Sequence, residues 1–266
     1  KQRNNWKVKD KSIGDIIYEK ITFPSLIKHQ EKQDTALFYI YRMGEIGERD
    51  FILWVPGMGV SDLAFLFIKN FFKEELKRNY DIAVYIPPYH MERTEKNKAN
   101  GEGFFTADTQ HNLKVVLNSI REIRTFMNYL RSKDVDNISG WGGSTGGSML
   151  LLISRFHKFE HLALMIPLLN WTKVFLENKA TAEIPAKLEK YGYSYSMLKK
   201  AYYLISPVNY DEININPEKM LIQYAEYDQL TPSELTRNYA DKHNIKNIIA
   251  YKRSHSTILL TPKLYR

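Results

Sequence analysis

The sequence predicts an α/β protein in which helices cover both faces of a mostly parallel sheet. From about residue 35 onward, short β-rich runs alternate with longer runs of helical character. Several of the short runs are continuously apolar, which is typical of strands buried on both faces. A length of 266 residues suits one large domain, with or without an inserted lobe, better than two independent domains.

The candidate strands and helices follow from the spacing of the apolar residues. Seven segments are expected to be strands: Thr35–Tyr41, Phe51–Val55, Ile82–Ile86, Asn137–Trp141, Leu162–Ile166, Met220–Tyr224 and Asn247–Tyr251. Two longer segments carry apolar residues at helical spacing, and we expect them to cover the sheet: Ser61–Arg78 and Thr109–Arg131.

One segment interrupts this alternation. Residues 171–210 are helix-prone, rich in Lys, Glu and Tyr, and separate two predicted strands. We interpret them as a helical cap insertion into a core of residues 35–170 and 211–266, with an N-terminal extension or first strands at residues 1–34. A cap over the site would bring tyrosines to an aromatic pocket wall: Tyr191, Tyr193, Tyr195, Tyr202 and Tyr203. A helical layer packed elsewhere is the alternative.

Composition narrows the functional classes. The formal net charge of +8 would suit an acidic partner, but the 38 Lys and Arg are scattered among 30 acidic residues, which favours a solvated basic surface and no nucleic-acid partner. The absence of cysteine excludes disulfides, thiolate catalysis and cysteine-ligated metal. No apolar stretch approaches the roughly 20 residues that span a bilayer, so no transmembrane segment is expected.

The location of the protein in the cell is left open by the sequence. The chain begins at Lys1 without an initiator Met or a signal-like apolar core. A cytoplasmic location is favoured, although a removed targeting segment stays an alternative. The oligomeric state is also open.

A candidate nucleophile lies in a glycine-rich turn. Residues 142–147 read Gly-Gly-Ser-Thr-Gly-Gly, follow a predicted strand and precede an apolar helical run. This is the Gly-x-Ser-x-Gly elbow in its required setting, where Ser144 would be exposed at the positive end of a helix dipole. A phosphate cradle is the alternative for a glycine-rich turn, but the lysine of a phosphate-binding loop is absent.

A serine nucleophile needs a base, and the base needs an orienting carboxylate. Asp228 follows one predicted strand directly before a helix, and His255 follows the next predicted strand. The chain order Ser, Asp, His is the order used with this elbow. Asp228 also suits a plain turn or cap, and Glu226 is the substitute acid.

An oxyanion needs two backbone N–H donors. One is expected from Thr145, directly after Ser144. The other is expected from Met58, because residues 56–59 read Pro-Gly-Met-Gly after a predicted strand. Gly57 and Gly59 would let this loop approach the substrate closely. A plain turn is the alternative.

Together these features resemble the α/β-hydrolase superfamily, from about Phe51 to His255. The resemblance implies an eight-stranded, mostly parallel sheet with the site at its carboxyl edge. The chain departs from the common pattern at Pro56, where the superfamily often has His before the glycine.

A narrower resemblance rests on the loop after Ile86. Residues 87–93 read Pro-Pro-Tyr-His-Met-Glu-Arg, and residues 101–105 read Gly-Glu-Gly-Phe-Phe. These are similar to a little-characterised branch of abhydrolase-domain proteins, which implies no settled substrate. Because loops at carboxyl strand ends face the site, His90, Arg93 and Phe104 are expected to line the pocket. A structural hydrogen-bonding role for His90 is equally open.

The resulting hypothesis is a serine hydrolase that acts on a small-molecule or lipid-like ester through an acyl-enzyme. It needs no metal and no organic cofactor. The alternatives are an acyltransferase or peptidase with the same residues, and a binding protein that kept the fold without the chemistry.

Overall fold

The computed structural model describes residues 6–13, 15–26, 33–60, 71–178 and 183–261. They form one nine-stranded sheet, one strand more than the resemblance implies, in the order β1-β2-β3-β5-β4-β6-β7-β8-β9. The strands are β1 (Lys7–Ile13), β2 (Ile16–Pro24), β3 (Thr35–Arg42), β4 (Asp50–Val55), β5 (Tyr80–Ile86), β6 (Ile138–Gly143), β7 (Leu162–Met165), β8 (Met220–Ala225) and β9 (Ile248–Tyr251).

All seven predicted strands are confirmed, and the N-terminal segment supplies two more. The six strands β4 to β9 are parallel, whereas β1, β2 and β3 form an antiparallel ribbon that joins β5. Since parallel strands all end at one edge of a sheet, the loops after β4, β5, β6, β8 and β9 meet there.

The described α-helices are α1 (Thr109–Arg131), α2 (Thr145–Ser154), α3 (Glu183–Lys190), α4 (Tyr195–Tyr203) and α5 (Ser233–Lys242). The predicted helix Thr109–Arg131 is therefore confirmed. Of the predicted helix Ser61–Arg78, residues 71–77 are helical and residues 61–70 lie outside the described part of the chain.

Successive side chains of a strand point to opposite faces of the sheet, and those of the central strands pack into an apolar cluster on each face. On one face Phe38 of β3 and Tyr85 of β5 pack in the cluster that contains Phe126 of α1. On the other face Val84 of β5 packs with Phe72, from the helical residues 71–77. This arrangement explains the continuously apolar strands.

Residues 171–178 and 183–210 are largely helical and are bonded to α2 through Trp171. Besides α3 and α4, they contain a π-helical turn at Lys173–Glu177. The indole N–H of Trp171 donates to Ser148 Oγ at 2.7 Å, and the backbone N–H of Trp171 donates to Ser206 Oγ at 2.9 Å.

The tyrosines of residues 171–210 differ in burial. Tyr202 is fully buried, stacks on Phe175, and accepts a hydrogen bond from Asn112 at 3.0 Å, so it belongs to the core and not to an open pocket wall. Three others are exposed to solvent: Tyr191, Tyr195 and Tyr203. Within the described residues, no helix is both long and apolar enough to cross a membrane.

A buried ion pair ties the loop after β5 to α1. The Arg93 guanidinium donates to both carboxylate oxygens of Glu122, at 2.8 and 3.1 Å, and to the Ile86 carbonyl at 3.0 Å. Tyr85 and Ser25 also donate to Glu122. Both charged side chains are only 3% exposed, so each depends on the other for its counter-charge.

This pair yields a stability prediction. Glu122→Gln keeps the size of the side chain but leaves the Arg93 charge buried without a counter-ion. We expect the free energy of unfolding, measured by urea denaturation, to fall by about 3–5 kcal/mol. Glu74→Gln is the matched control, because it breaks the exposed ion pair with Lys77, and it should leave the midpoint nearly unchanged. Equal midpoints for the two variants would contradict the prediction.

Candidate active site

Ser144 lies in a strained turn between β6 and α2. Its backbone has φ 46° and ψ −114°, a region that costs a residue with a side chain about 1–3 kcal/mol. Three backbone hydrogen bonds hold it there. Its N–H donates to the Met165 carbonyl at 2.9 Å, while its own carbonyl accepts from Ser148 and Leu168 at 3.1 and 3.0 Å.

The turn depends on the absence of a side chain at Gly142 and Gly146. A Cβ on Gly146 would lie 2.0 Å from the Val55 carbonyl oxygen, and a Cβ on Gly142 would lie 2.9 Å from Gly147 Cα. Helix α2 therefore approaches the end of β4 more closely than any residue with a Cβ permits. The elbow predicted from the sequence is present in its expected place.

The loop after β9 brings His255 to this serine. His255 Nε2 lies 3.2 Å from Ser144 Oγ, and His255 Nδ1 lies 2.8 Å from Asp228 Oδ2. A carboxylate only accepts hydrogen bonds, so Nδ1 carries the proton in the neutral ring and Nε2 is left to accept the Ser144 hydroxyl. The three predicted residues thus form one hydrogen-bonded chain.

Asp228 is buried in the turn before α5, and its other hydrogen bonds fix its direction. Its Oδ1 accepts the N–H groups of Leu230 and Thr231 at 2.8 and 2.7 Å, and its Oδ2 accepts the Thr231 hydroxyl at 2.7 Å. Glu226, the substitute acid, is exposed. Thr231 was not predicted as a site residue, although the Asp-x-x-Thr spacing is typical of such a bonded turn.

The charge of Asp228 follows from these contacts. Burial alone would raise its pKa, but the hydrogen bond and charge of His255, with the hydrogen bonds from Thr231, outweigh burial. The pKa of Asp228 therefore lies below its ordinary value. The carboxylate consequently stays charged through the neutral and mildly acidic range.

The loop after β4 passes directly beside the serine. A Cβ on Gly57 would lie 3.1 Å from Ser144 Cβ and 3.2 Å from the Gly143 carbonyl oxygen. Met58 follows with 52% of its surface exposed. On the other side, Thr145 is the first residue of α2, so its N–H has no partner within the helix. The predicted oxyanion donors thus lie on two segments that flank Ser144.

The three residues expected to line the pocket are buried instead: His90, Arg93 and Phe104. The Arg93 guanidinium donates hydrogen bonds to Glu122 and to the Ile86 carbonyl. Arg93 therefore lies in the interior and not on a pocket surface. Phe104 packs edge-on against the His90 ring, with ring centroids 5.3 Å apart.

His90 bonds to the glycine loop; the sequence left a structural hydrogen-bonding role for His90 open but did not name this partner. The Gly59 N–H donates to His90 Nε2 at 2.8 Å, and His90 Nδ1 lies 2.8 Å from the Pro88 carbonyl. Burial, with a smaller contribution from the Arg93 charge, lowers the pKa of His90 to about 4, although the Pro88 hydrogen bond opposes this. Its ring is therefore neutral at physiological pH.

The described residues contain no cluster of three or more His, Asp or Glu side chains that could hold a metal ion.

No protein-family model matches the chain, and no curated protein matches its sequence. Solved structures do match its fold. The acetyl xylan esterase from Paenibacillus sp. R4 is 13% identical, with a TM-score of 0.70 over 96% of this chain and 84% of that one. Acetyl xylan esterase 1 from Thermoanaerobacterium sp. JW/SL YS485 is 12% identical, with a TM-score of 0.63 over 99% of this chain and 89% of that one.

An S-formylglutathione hydrolase from Agrobacterium tumefaciens is 12% identical, with a TM-score of 0.62 over 97% of this chain and 96% of that one. At such identities the likeness concerns the fold. The sheet order, the strained serine at its carboxyl edge and these structural matches together show that the chain has the α/β-hydrolase fold.

Proposed function

We propose that the protein hydrolyses carboxylic esters through a Ser144, His255 and Asp228 triad. The observation that carries the proposal is the continuous hydrogen-bonded chain from Ser144 Oγ through His255 to Asp228 Oδ2, with distances of 3.2 and 2.8 Å. A buried carboxylate that orients an imidazole toward a serine at a strained elbow is the arrangement that activates a hydroxyl nucleophile.

In the first step Ser144 Oγ attacks the ester carbonyl while His255 Nε2 accepts the hydroxyl proton. The Asp228 carboxylate stabilises the imidazolium that forms, and its hydrogen bond to Nδ1 holds the ring in the reactive tautomer. The carbonyl oxygen becomes an oxyanion, which accepts hydrogen bonds from the N–H groups of Thr145 and Met58. Each such donor contributes about 10²–10³ in kcat.

The second half of the reaction returns the enzyme to its starting state. The tetrahedral intermediate collapses, the bond to the alcohol oxygen breaks, and His255 protonates the departing alcohol. His255 then takes a proton from water as the water attacks the acyl-enzyme. The bond to Ser144 Oγ breaks, the serine regains its proton from His255, and the carboxylic acid leaves.

The proposed substrate is a small-molecule or lipid-like ester. The solved structures with this fold include proteins named as acetyl xylan esterases and an S-formylglutathione hydrolase. These names support hydrolysis of an ester as the reaction class, while an acylaminoacyl peptidase with the same fold keeps the peptidase alternative open. The proposed mechanism uses no metal or organic cofactor.

We assign residues 171–210 as a helical cap on a core of residues 35–170 and 211–266. Two contacts at the start of this segment support the assignment. Trp171 is bonded to Ser148, which lies one helical turn after Ser144. The Asn178 side chain donates to the carbonyl of Gln229, the residue after Asp228. The segment is thus fastened beside both the nucleophile and the acid.

Replacing the nucleophile tests the reaction. Ser144→Ala should abolish hydrolysis of a chromogenic ester and labelling by a fluorophosphonate, because both need the activated hydroxyl. The far-ultraviolet circular dichroism spectrum should be unchanged. Ser132→Ala, at the exposed end of α1, is the control and should keep both signals. Near-native turnover in Ser144→Ala would reject the proposal and direct attention to Ser148.

The identity of the acid can be tested separately. Asp228→Asn keeps the shape of the side chain but removes the charge that orients His255, so kcat should fall by up to about 10⁴. Glu226→Gln is the matched control, because Glu226 is exposed two residues away, and its kcat should change far less. Equal losses in the two variants, or a larger loss in Glu226→Gln, would move the acid to Glu226.

A further inference from the structure

Two side chains from the loop after β5 bond to the backbone that follows the proposed donor Met58. His90 Nε2 accepts the Gly59 N–H at 2.8 Å, and Asn100 Nδ2 donates to the Val60 carbonyl at 2.6 Å. Two loops from neighbouring strands are therefore joined directly beside the site. Neither contact has a role in the chemical steps proposed above.

The His90 ring has one fixed orientation. Its Nδ1 lies 2.8 Å from the Pro88 carbonyl, which only accepts, so Nδ1 carries the proton and Nε2 presents its lone pair to Gly59. The ring is completely buried against the edge of Phe104. A Cβ on Gly101 would lie 3.0 Å from Nε2. The surroundings thus leave the ring little room to turn.

Hydrogen bonds to Gln33 and the Arg93–Glu122 ion pair fix the loop that carries His90. Tyr89 has a φ of 65°, and its N–H donates to Gln33 Oε1 at 2.9 Å. Gln33 Nε2 donates to the Arg93 carbonyl at 2.7 Å. Arg93 is paired with Glu122 of α1 in the buried ion pair described above. A strained turn with this many hydrogen bonds holds the His90 side chain in a fixed position.

The Gly59 hydrogen bond limits which backbone groups can serve the oxyanion. Because the Gly59 N–H is committed to His90, it is not available to a substrate, whereas Met58 N–H belongs to the preceding peptide. The Gly59 N–H belongs to the planar peptide between Met58 and Gly59. The hydrogen bond from this N–H to His90 therefore fixes the orientation of that peptide. Gly57 is packed against Ser144 on the other side. Met58 is therefore held between two fixed neighbours.

We propose that His90 is a positioning residue that holds the Met58 N–H in place for the oxyanion, through its hydrogen bond to Gly59. This inference rests on the proposed function, since it concerns the second donor of that reaction. It also gives a role to the Pro-Tyr-His-x-x-Arg segment in a chain that has Pro56 where the superfamily often has His. The ring acts through the backbone and does not touch the substrate.

Two amide variants separate the two hydrogen bonds of the ring. His90→Asn places an amide near the position of Nδ1, so it can still donate to Pro88 but cannot reach Gly59. His90→Gln places an amide oxygen near the position of Nε2, so it can still accept from Gly59. The matched control is His111→Asn, since the ring of the half-buried His111 bonds to the Gly103 carbonyl of the same loop.

We expect His90→Asn to lower kcat by about tenfold or more, bounded by the roughly 10²–10³ that loss of a whole oxyanion donor costs. KM should change little, because the donor acts mainly in the transition state. The affinity for a boronic acid that forms a tetrahedral adduct should fall in parallel with kcat. His90→Gln should recover most of both, and His111→Asn should match the unsubstituted protein.

Several results would overturn the proposal. Unchanged kcat in His90→Asn would do so, and so would a rise in KM alone, which would indicate a substrate contact. Equal losses in the Asn and Gln variants would indicate that only packing matters. If Ser144→Ala also keeps its turnover, the proposed function fails; if Ser144→Ala is inactive and His90→Asn is fully active, only the role of His90 fails.

A measurement on the unsubstituted protein keeps the proposal testable if His90→Asn does not fold. Nitrogen-15 NMR of the histidine rings, assigned by the signal lost in His90→Gln, should show a protonated Nδ1 and an unprotonated Nε2 at neutral pH. A protonated Nε2 could not accept the Gly59 N–H and would reject the role of His90.

Discussion

The close contact between α2 and the end of β4 is the constraint on which the site depends. A Cβ at Gly146 would lie 2.0 Å from the Val55 carbonyl oxygen, so only glycine allows the helix to start this close to the strand. The close approach forces Ser144 into its left-handed backbone conformation, at a cost of about 1–3 kcal/mol. It also brings Gly57 against Ser144. One packing contact thus presents the serine hydroxyl and places the loop of the proposed second oxyanion donor beside it.

The sequence predicted the fold and the three residues of the hydrogen-bonded chain because their signals are local. Each of Ser144, Asp228 and His255 lies at or shortly after the end of a strand, and parallel strands end at one edge. The contacts of His90 and Arg93 could not be predicted in the same way. Arg93 at a carboxyl strand end suits a pocket as well as a core, and its partner Glu122 lies on a helix 29 residues later. No periodicity marks such a pair.

The first two strands show a different limit of sequence analysis. The segment 1–34 contains polar residues through most of β1, so its pattern did not distinguish an extension from a strand. In the structure β1 pairs only with β2, and β2 carries the ribbon onto β3. An antiparallel ribbon at a sheet edge needs only one apolar face. Its strand character therefore comes from pairing with β3, which is a long-range property of the chain.

The strand order explains why the loop after β4, which carries the proposed donor Met58, can be held from two sides. The chain passes from β4 to β5 on one side of β4 and then crosses to β6 on the other, so the loop after β4 opens at the point where the direction of strand addition reverses. From the β6 side the loop meets Ser144 through Gly57, and from the β5 side it meets His90 through Gly59. The two contacts come from different strands and are fixed by different interactions: backbone packing at the elbow, and the hydrogen bond from the Gly59 N–H to the neutral His90 imidazole. Under our proposal, a change at His90 shifts the Met58 N–H while the hydrogen bonds of Ser144, His255 and Asp228 stay in place, which is the physical basis for separating the two by mutation.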